Sequence, residues 1–200
     1  MREFLQPTFF IDSDNPLVVS FAEQHRGDSP DPRQQAISLY LAVHDEIRYN
    51  PYAFSADRQT LKGSHALLAG ESYCVPKALL LAACARHCDI PARIGLAVFA
   101  MHGYTELFLE GRWVKATPAF NLELCRLFNV EPLEFDGLSD SVFHPYNQEG
   151  ERYMEYLVDH GQFAELPEEL FFRHLQTVYP HLFVSGAAFL SGDLHSEMTD

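Results

Sequence analysis

The 200-residue chain sets 28 acidic against 14 basic side chains, a formal net charge of −14, and is 47% hydrophobic with 16 Phe, 9 Tyr and a single Trp. A chain of this length and balance buries a sizeable core as one domain. The excess of carboxylates excludes nucleic acid and anionic membrane as main partners, since both are held through clustered Lys and Arg, and leaves room for a neutral or cationic substrate.

The start, Met1-Arg2-Glu3-Phe4-Leu5-Gln6-Pro7, lacks the charged-then-apolar pattern of a secretory leader, and no apolar run reaches the roughly 20 residues of a membrane span. A cytoplasmic protein is expected, and with it Cys74, Cys84, Cys88 and Cys125 as thiols, not disulfides. Asn15 followed by Pro16 predicts a helix start and Gly27 its stop; Asp31-Pro32 repeats the signal. Ala36, Tyr40, Val43 and Ile47 then recur at helical spacing, with Ile37, Leu41 and His44 beside them, so His44 reads as a packed core histidine. Asn50 to Lys62 has turn residues and no period and is expected as a loop, after which Ser64 caps a short turn through Leu68.

Gly70-Glu71-Ser72-Tyr73 then feeds an apolar run beginning Cys74-Val75-Pro76-Lys77 and continuing to Cys84, closed by Cys88-Asp89-Ile90-Pro91, where proline forbids continuation. A thiol at a helix N-terminus feels the positive end of the macrodipole and unpaired backbone N–H groups, both of which favour the nucleophilic thiolate. Lys77 reads as a solvated face residue. Cys84, His87 and Cys88 share the helix but lack the C-x-x-C pairs of a structural zinc site, and Cys84 falls on the apolar face; no metal or cofactor is expected.

Past Pro91 the period changes. Arg93 to Met101 is an apolar run of strand length, His102 to Leu109 alternates, Glu110-Gly111 is a two-residue turn, and Arg112 to Ala116 alternates again, predicting an antiparallel meander. With Leu109 facing Arg112, Trp113 faces Phe108, Tyr104 faces Thr117 and His102 faces Ala119. His102 and Thr117 become diagonal neighbours, roughly 7–8 Å apart between backbones. Beyond Pro118 helical patterns return: Asn121 caps Leu122 to Phe128, and two later helices are expected around Gly150 to Val158 and Pro167 to Tyr179. The chain is thus expected as one domain over 1–200, with a core at 36–120, a helical extension at 121–190 and a frayed polar tail at 192–200.

Ile47-Arg48-Tyr49, Cys74 opening a helix, Asp89-Ile90-Pro91-Ala92-Arg93, His102-Gly103-Tyr104-Thr105-Glu106 and Gly111-Arg112-Trp113-Val114-Lys115-Ala116, in that order, resemble the core of the transglutaminase-like superfamily of thiol enzymes over roughly Ala36 to Phe120. The resemblance implies an α+β, papain-like fold in which a nucleophile helix packs on an antiparallel sheet with flanking helices. It implies Cys74 as nucleophile, His102 as its base, and a third site position, usually Asp, at Thr117. Thr117 accepts an imidazole N–H but brings no charge to stabilise an imidazolium. Ser72 stands two places before the nucleophile where the family commonly has Gly, and Tyr104 where it has Trp. Asp136 and Asp140 are alternative sources of the missing carboxylate, and Tyr73 is a candidate second oxyanion donor beside the Cys74 N–H.

Two functions follow from these residues. The first is a cysteine hydrolase of the protease or amidase type that transfers an acyl group from a peptide or small amide through a Cys74 thioester. The second is a binding module of the same fold, in which Thr117 marks lost catalysis and the groove beside Cys74 holds a peptide or small molecule. A zinc scaffold through Cys84, His87 and Cys88 ranks below both.

Overall fold

The computed structural model describes residues 1–98, 102–143, 149–150, 158–178 and 180–183. Asn15 caps α1 (Pro16–His25) by accepting the Leu17 N–H at 3.0 Å, and Asp31 caps α2 (Pro32–Glu46) through the Arg33 N–H at 3.0 Å, as the Asn-Pro and Asp-Pro signals predict. After β1 (Arg48–Tyr49) the expected loop carries two short 3-10 turns, Pro51–Ala53 and Arg58–Leu61. The next helix, α3 (Gly63–Ala69), takes its cap from a distant residue, not from Ser64 itself. Buried Asp12 accepts the Ser64 N–H at 3.1 Å and the Ser64 hydroxyl at 2.5 Å.

Two residues of β2 (Glu71–Ser72) pair in parallel with β1, Arg48 with Glu71 and Tyr49 with Ser72, and the chain passes directly into α4 (Cys74–His87). Every residue of α4 from Val75 to Arg86 is buried, as a helix apolar on all sides requires. It lies against α1, α2 and α3 on one side and, on the other, against β3 (Ala92–Val98) and β4 (His102–Leu109). Those strands belong to a four-stranded antiparallel sheet in the order β5-β4-β3-β6, with β5 (Arg112–Ala116) and β6 (Val158–Phe163) at its edges.

The β4–β5 hairpin has the expected register: Leu109 faces Arg112, Phe108 faces Trp113 and Thr105 faces Ala116. Glu110 at φ +49° and Gly111 at φ +84° form its turn, the pair of left-handed conformations that a two-residue hairpin of matching twist needs. The Phe108 and Trp113 rings meet edge-on with centroids 5.3 Å apart. Ile94, Leu96, Leu107, Leu109, Val114 and Ala116 turn inward and join α4 in one core. This is an α+β architecture with a buried helix on an antiparallel sheet.

α5 (Leu122–Phe128) and α6 (Glu168–Val178) occupy the positions their patterns predict. β6 does not: Val158-Asp159-His160-Gly161-Gln162-Phe163 interrupts the stretch expected to be helical and adds an edge strand to β3. Its pairing shifts between Leu96 and Ala97, and Gly161 sits at φ +100°. Asp, His and Gly have poor strand propensity, so only pairing with β3 makes this segment extended. The end of the expected strand at 99–101, the expected helix over 151–157, Tyr179 and the polar tail at 192–200 lie outside the described residues.

Arg86, on the last turn of α4, fastens the periphery to the core. It donates to the Ala92 carbonyl at 3.1 and 2.8 Å, to Gln6 at 2.6 Å and to Ala164 at 2.6 Å, which joins the N-terminal segment, the start of β3 and the chain beyond β6 at one point.

Candidate active site

Tyr73, the residue before α4, makes no side-chain cap, and Pro76 removes one N–H from the first turn. The backbone N–H groups at the helix start, those of Cys74 and Val75, pull the Cys74 thiol toward its ionised form. From across the site, the backbone of Gly103 on β4 packs against Val75 at the same helix start. Gly103 permits that approach because it has no side chain: a Cβ there would stand 2.8 Å from Val75 Cγ2 and 2.9 Å from Val75 Cα. The residue after Cys74 therefore lies against the backbone of the residue that follows His102. Sequence reasoning overlooked this part of Gly103, although the glycine next to the histidine was its signal.

His102, the first residue of β4, is 6% exposed, and its ring stands edge-on to Phe143 with centroids 5.1 Å apart. Phe143 also meets Phe120 at 4.8 Å, and Phe120 meets Tyr49 at 4.8 Å. Half-buried Cys74 packs with Tyr49 and Phe120 on the small cluster of Ala119, Leu133 and Phe143. Thiol and imidazole thus share an aromatic wall. Nothing in the sequence marks Phe143 as part of it, because the loop that carries it has no period.

The electrostatics differ from the helix-start expectation. Burial pushes the Cys74 thiol up to about 11, outweighing the three amides that pull it down. Burial likewise takes the His102 imidazole down to about 4. Burial thus favours the uncharged form of both groups at neutral pH.

Thr117 lies just past the end of β5 and is fully buried. Its carbonyl accepts the Tyr40 hydroxyl at 3.1 Å, while its own Oγ1 has no hydrogen-bond partner among the described residues. The hydroxyl is close in sequence register to His102 but is not hydrogen-bonded to it. Asp136 accepts the Leu138 and Ser139 amides at 2.7 and 2.6 Å, and Asp140 accepts the Lys115 amide at 2.9 Å. Both carboxylates are exposed and engaged away from His102, Asp136 in its own turn and Asp140 on the β5 backbone. Tyr73 turns its ring edge-on to Phe54, centroids 5.8 Å apart, with its hydroxyl buried and without a partner among the described residues.

Lys77 is not solvated. It is fully buried, and its Nζ donates to the carbonyls of His44, at 3.1 Å, and Ile47. His44 is a core residue as expected, with Nδ1 on Asp45 at 2.7 Å and its ring stacked on Tyr40. Cys84 is buried, Cys88 half-buried, and His87 Nε2 meets Glu23 at 2.9 Å. Among the described residues no group of three His, Cys, Asp or Glu side chains gathers to hold a metal ion, and no helix is long and apolar enough to cross a membrane.

Beyond Phe143 the surface opens into a recess of about 570 Å3, lined by Leu133, Val142, Phe143 and the carboxylates Glu131, Glu134 and Asp140. The size suits one amino-acid side chain or a small ligand.

Residues 19–118, half of the chain, match the profile of the transglutaminase-like superfamily. No curated protein matches the sequence. Among solved structures, a candidate cysteine protease from Cytophaga hutchinsonii aligns with a TM-score of 0.50 at 20% identity, over 57% of this chain and 40% of its own. The chain therefore spans well under half of that protein, and at this identity the likeness is one of fold.

Proposed function

The chain belongs to the transglutaminase-like superfamily, and on that footing we propose that it is a cysteine hydrolase of the protease or amidase type, with Cys74 as nucleophile and His102 as its base. The observation that carries the reading is that Gly103, the residue after His102, packs against Val75, the residue after Cys74, while Cys74 and the His102 ring both meet the Phe143 cluster. His102 takes the thiol proton as sulfur attacks the carbonyl carbon of an amide. The C–N bond then breaks as the imidazolium returns the proton to the leaving nitrogen, and water hydrolyses the resulting thioester. Because both groups rest neutral, proton transfer accompanies attack; no standing ion pair is required.

The oxyanion forms at the head of α4, where the Cys74 N–H and the helix dipole stabilise negative charge. Thr117 serves as the positioning residue, its hydroxyl accepting the imidazole N–H once His102 carries a proton. The substrate is a peptide or small amide. Three carboxylates on the neighbouring recess make a neutral or basic chain easier to admit than an acidic one.

One observation favours a second reading. Thr117 brings no charge, and its hydroxyl has no partner among the described residues, as in a binding module that has lost catalysis. Intact-mass spectrometry after mixing with a pool of short peptide amides separates the two. The hydrolase gives an acyl adduct on Cys74 that decays to free acid and is absent in Cys74→Ala. A binding module retains peptides in both proteins without any adduct, and that result overturns the enzymatic reading.

A further inference from the structure

A fully buried lysine one turn along the helix from Cys74 calls for a role, because packing alone is served by an apolar side chain. Its Nζ reaches two buried carbonyls, His44 and Ile47, at the end of α2, where helix geometry leaves carbonyls without intrahelical partners. A cation at that end also complements the helix dipole. The next residue after Ile47 opens β1, whose Arg48 N–H donates to Gly70 at 3.0 Å and whose neighbour Asn50 donates to Ser72 at 2.9 Å. Ser72 lies two residues before Cys74.

Building on the nucleophile reading above, we infer that Lys77 is a positioning residue for Cys74: its Nζ bolts the end of α2 to the nucleophile helix and so fixes the β1–β2 pairing from which Cys74 enters α4. The groups facing it are His44 and Asp45 on α2 and Cys125 on α5. Burial pulls Lys77 down to about 7, while the Asp45 carboxylate holds it up. The charge on the bolt therefore changes across neutral pH. Because burial disfavours the charge more than the helix end and Asp45 favour it, opening that lets water reach Lys77 is easiest while it is protonated, so the grip tightens as pH rises through that point.

Amide hydrogen exchange and Cys74 alkylation test this together. In Lys77→Met, which fills a similar volume without a donor, the Arg48 and Asn50 amides are expected to exchange about tenfold faster while the β4–β5 amides keep their protection. In the native protein, the Cys74 alkylation rate, corrected for thiol ionisation, is expected to step up near pH 7. Asp45→Asn, a substitution at the surface, should move that step to lower pH, and it keeps the inference testable if Lys77→Met does not fold. Unchanged exchange at Arg48 and Asn50, or a pH step indifferent to Asp45→Asn, overturns the role of Lys77. The exchange readout needs no catalysis, so it fails or succeeds separately from the adduct experiment.

Discussion

At the scale of the residue, the proposed site turns on Gly103, which has no side chain, and on the Thr117 hydroxyl, which has no partner among the described residues. Gly103→Ala places a methyl within contact distance of the Val75 backbone, which cannot yield as a flexible side chain would. The expected outcome is a loss of about 1–3 kcal/mol in urea unfolding and slower Cys74 alkylation, because the strand must retreat from the helix start. Thr117→Val removes a buried hydroxyl with no partner among the described residues. It should raise stability by about 1 kcal/mol, and lower kcat with KM unchanged if the hydroxyl steadies a protonated His102. Equal kcat in the two proteins removes Thr117 from the mechanism. The placement of Cys74 at the head of α4 and of His102 at the start of β4 was legible in the sequence, because each element boundary has its own local signal. Their protonation was not: the helix-start argument points to a low thiol pKa, and only packing reveals that desolvation prevails.

At the scale of the element, what could be read locally is what local chemistry determines. Asn15 and Asp31 cap the helices that their spacing predicts, and Glu110-Gly111 fixes the β4–β5 register that places His102 at the start of its strand. Asp12 capping α3, Lys77 closing α2 and β6 joining the sheet edge each depend on a partner far along the chain, so no local pattern announces them. Arg86 is the extreme case, a buried guanidinium whose partners are three carbonyls from three separate segments. Arg86→Leu leaves those carbonyls without their donor and is expected to cost about 3 kcal/mol in chemical denaturation. The N-terminal segment should become protease-sensitive before the α4 core does. A loss below about 0.5 kcal/mol would show that the carbonyls find other donors.

At the scale of the whole molecule, buried titratable groups shape stability against pH. His102, held at about 4 against 6.5, stays neutral in the fold while the unfolded chain takes up a proton, so stability falls as pH drops from 6.5 through 4. Lys77 acts in the same direction between 10.5 and about 7. The thiols of Cys74, Cys88 and Cys125, raised to about 11, keep protons that the unfolded chain releases, so stability also falls as pH climbs from 9 to 11. Urea midpoints are expected to peak at about pH 8 to 9, and a peak near pH 5 contradicts these assignments. The account as a whole rests on the cooperation of Cys74 with His102, which iodoacetamide labelling at pH 8 with peptide mapping tests most directly. Cys74 is predicted to label ahead of Cys84, Cys88 and Cys125, and to slow about a hundredfold in His102→Ala while the other three are unchanged. Labelling at the same rate with and without the imidazole would contradict it.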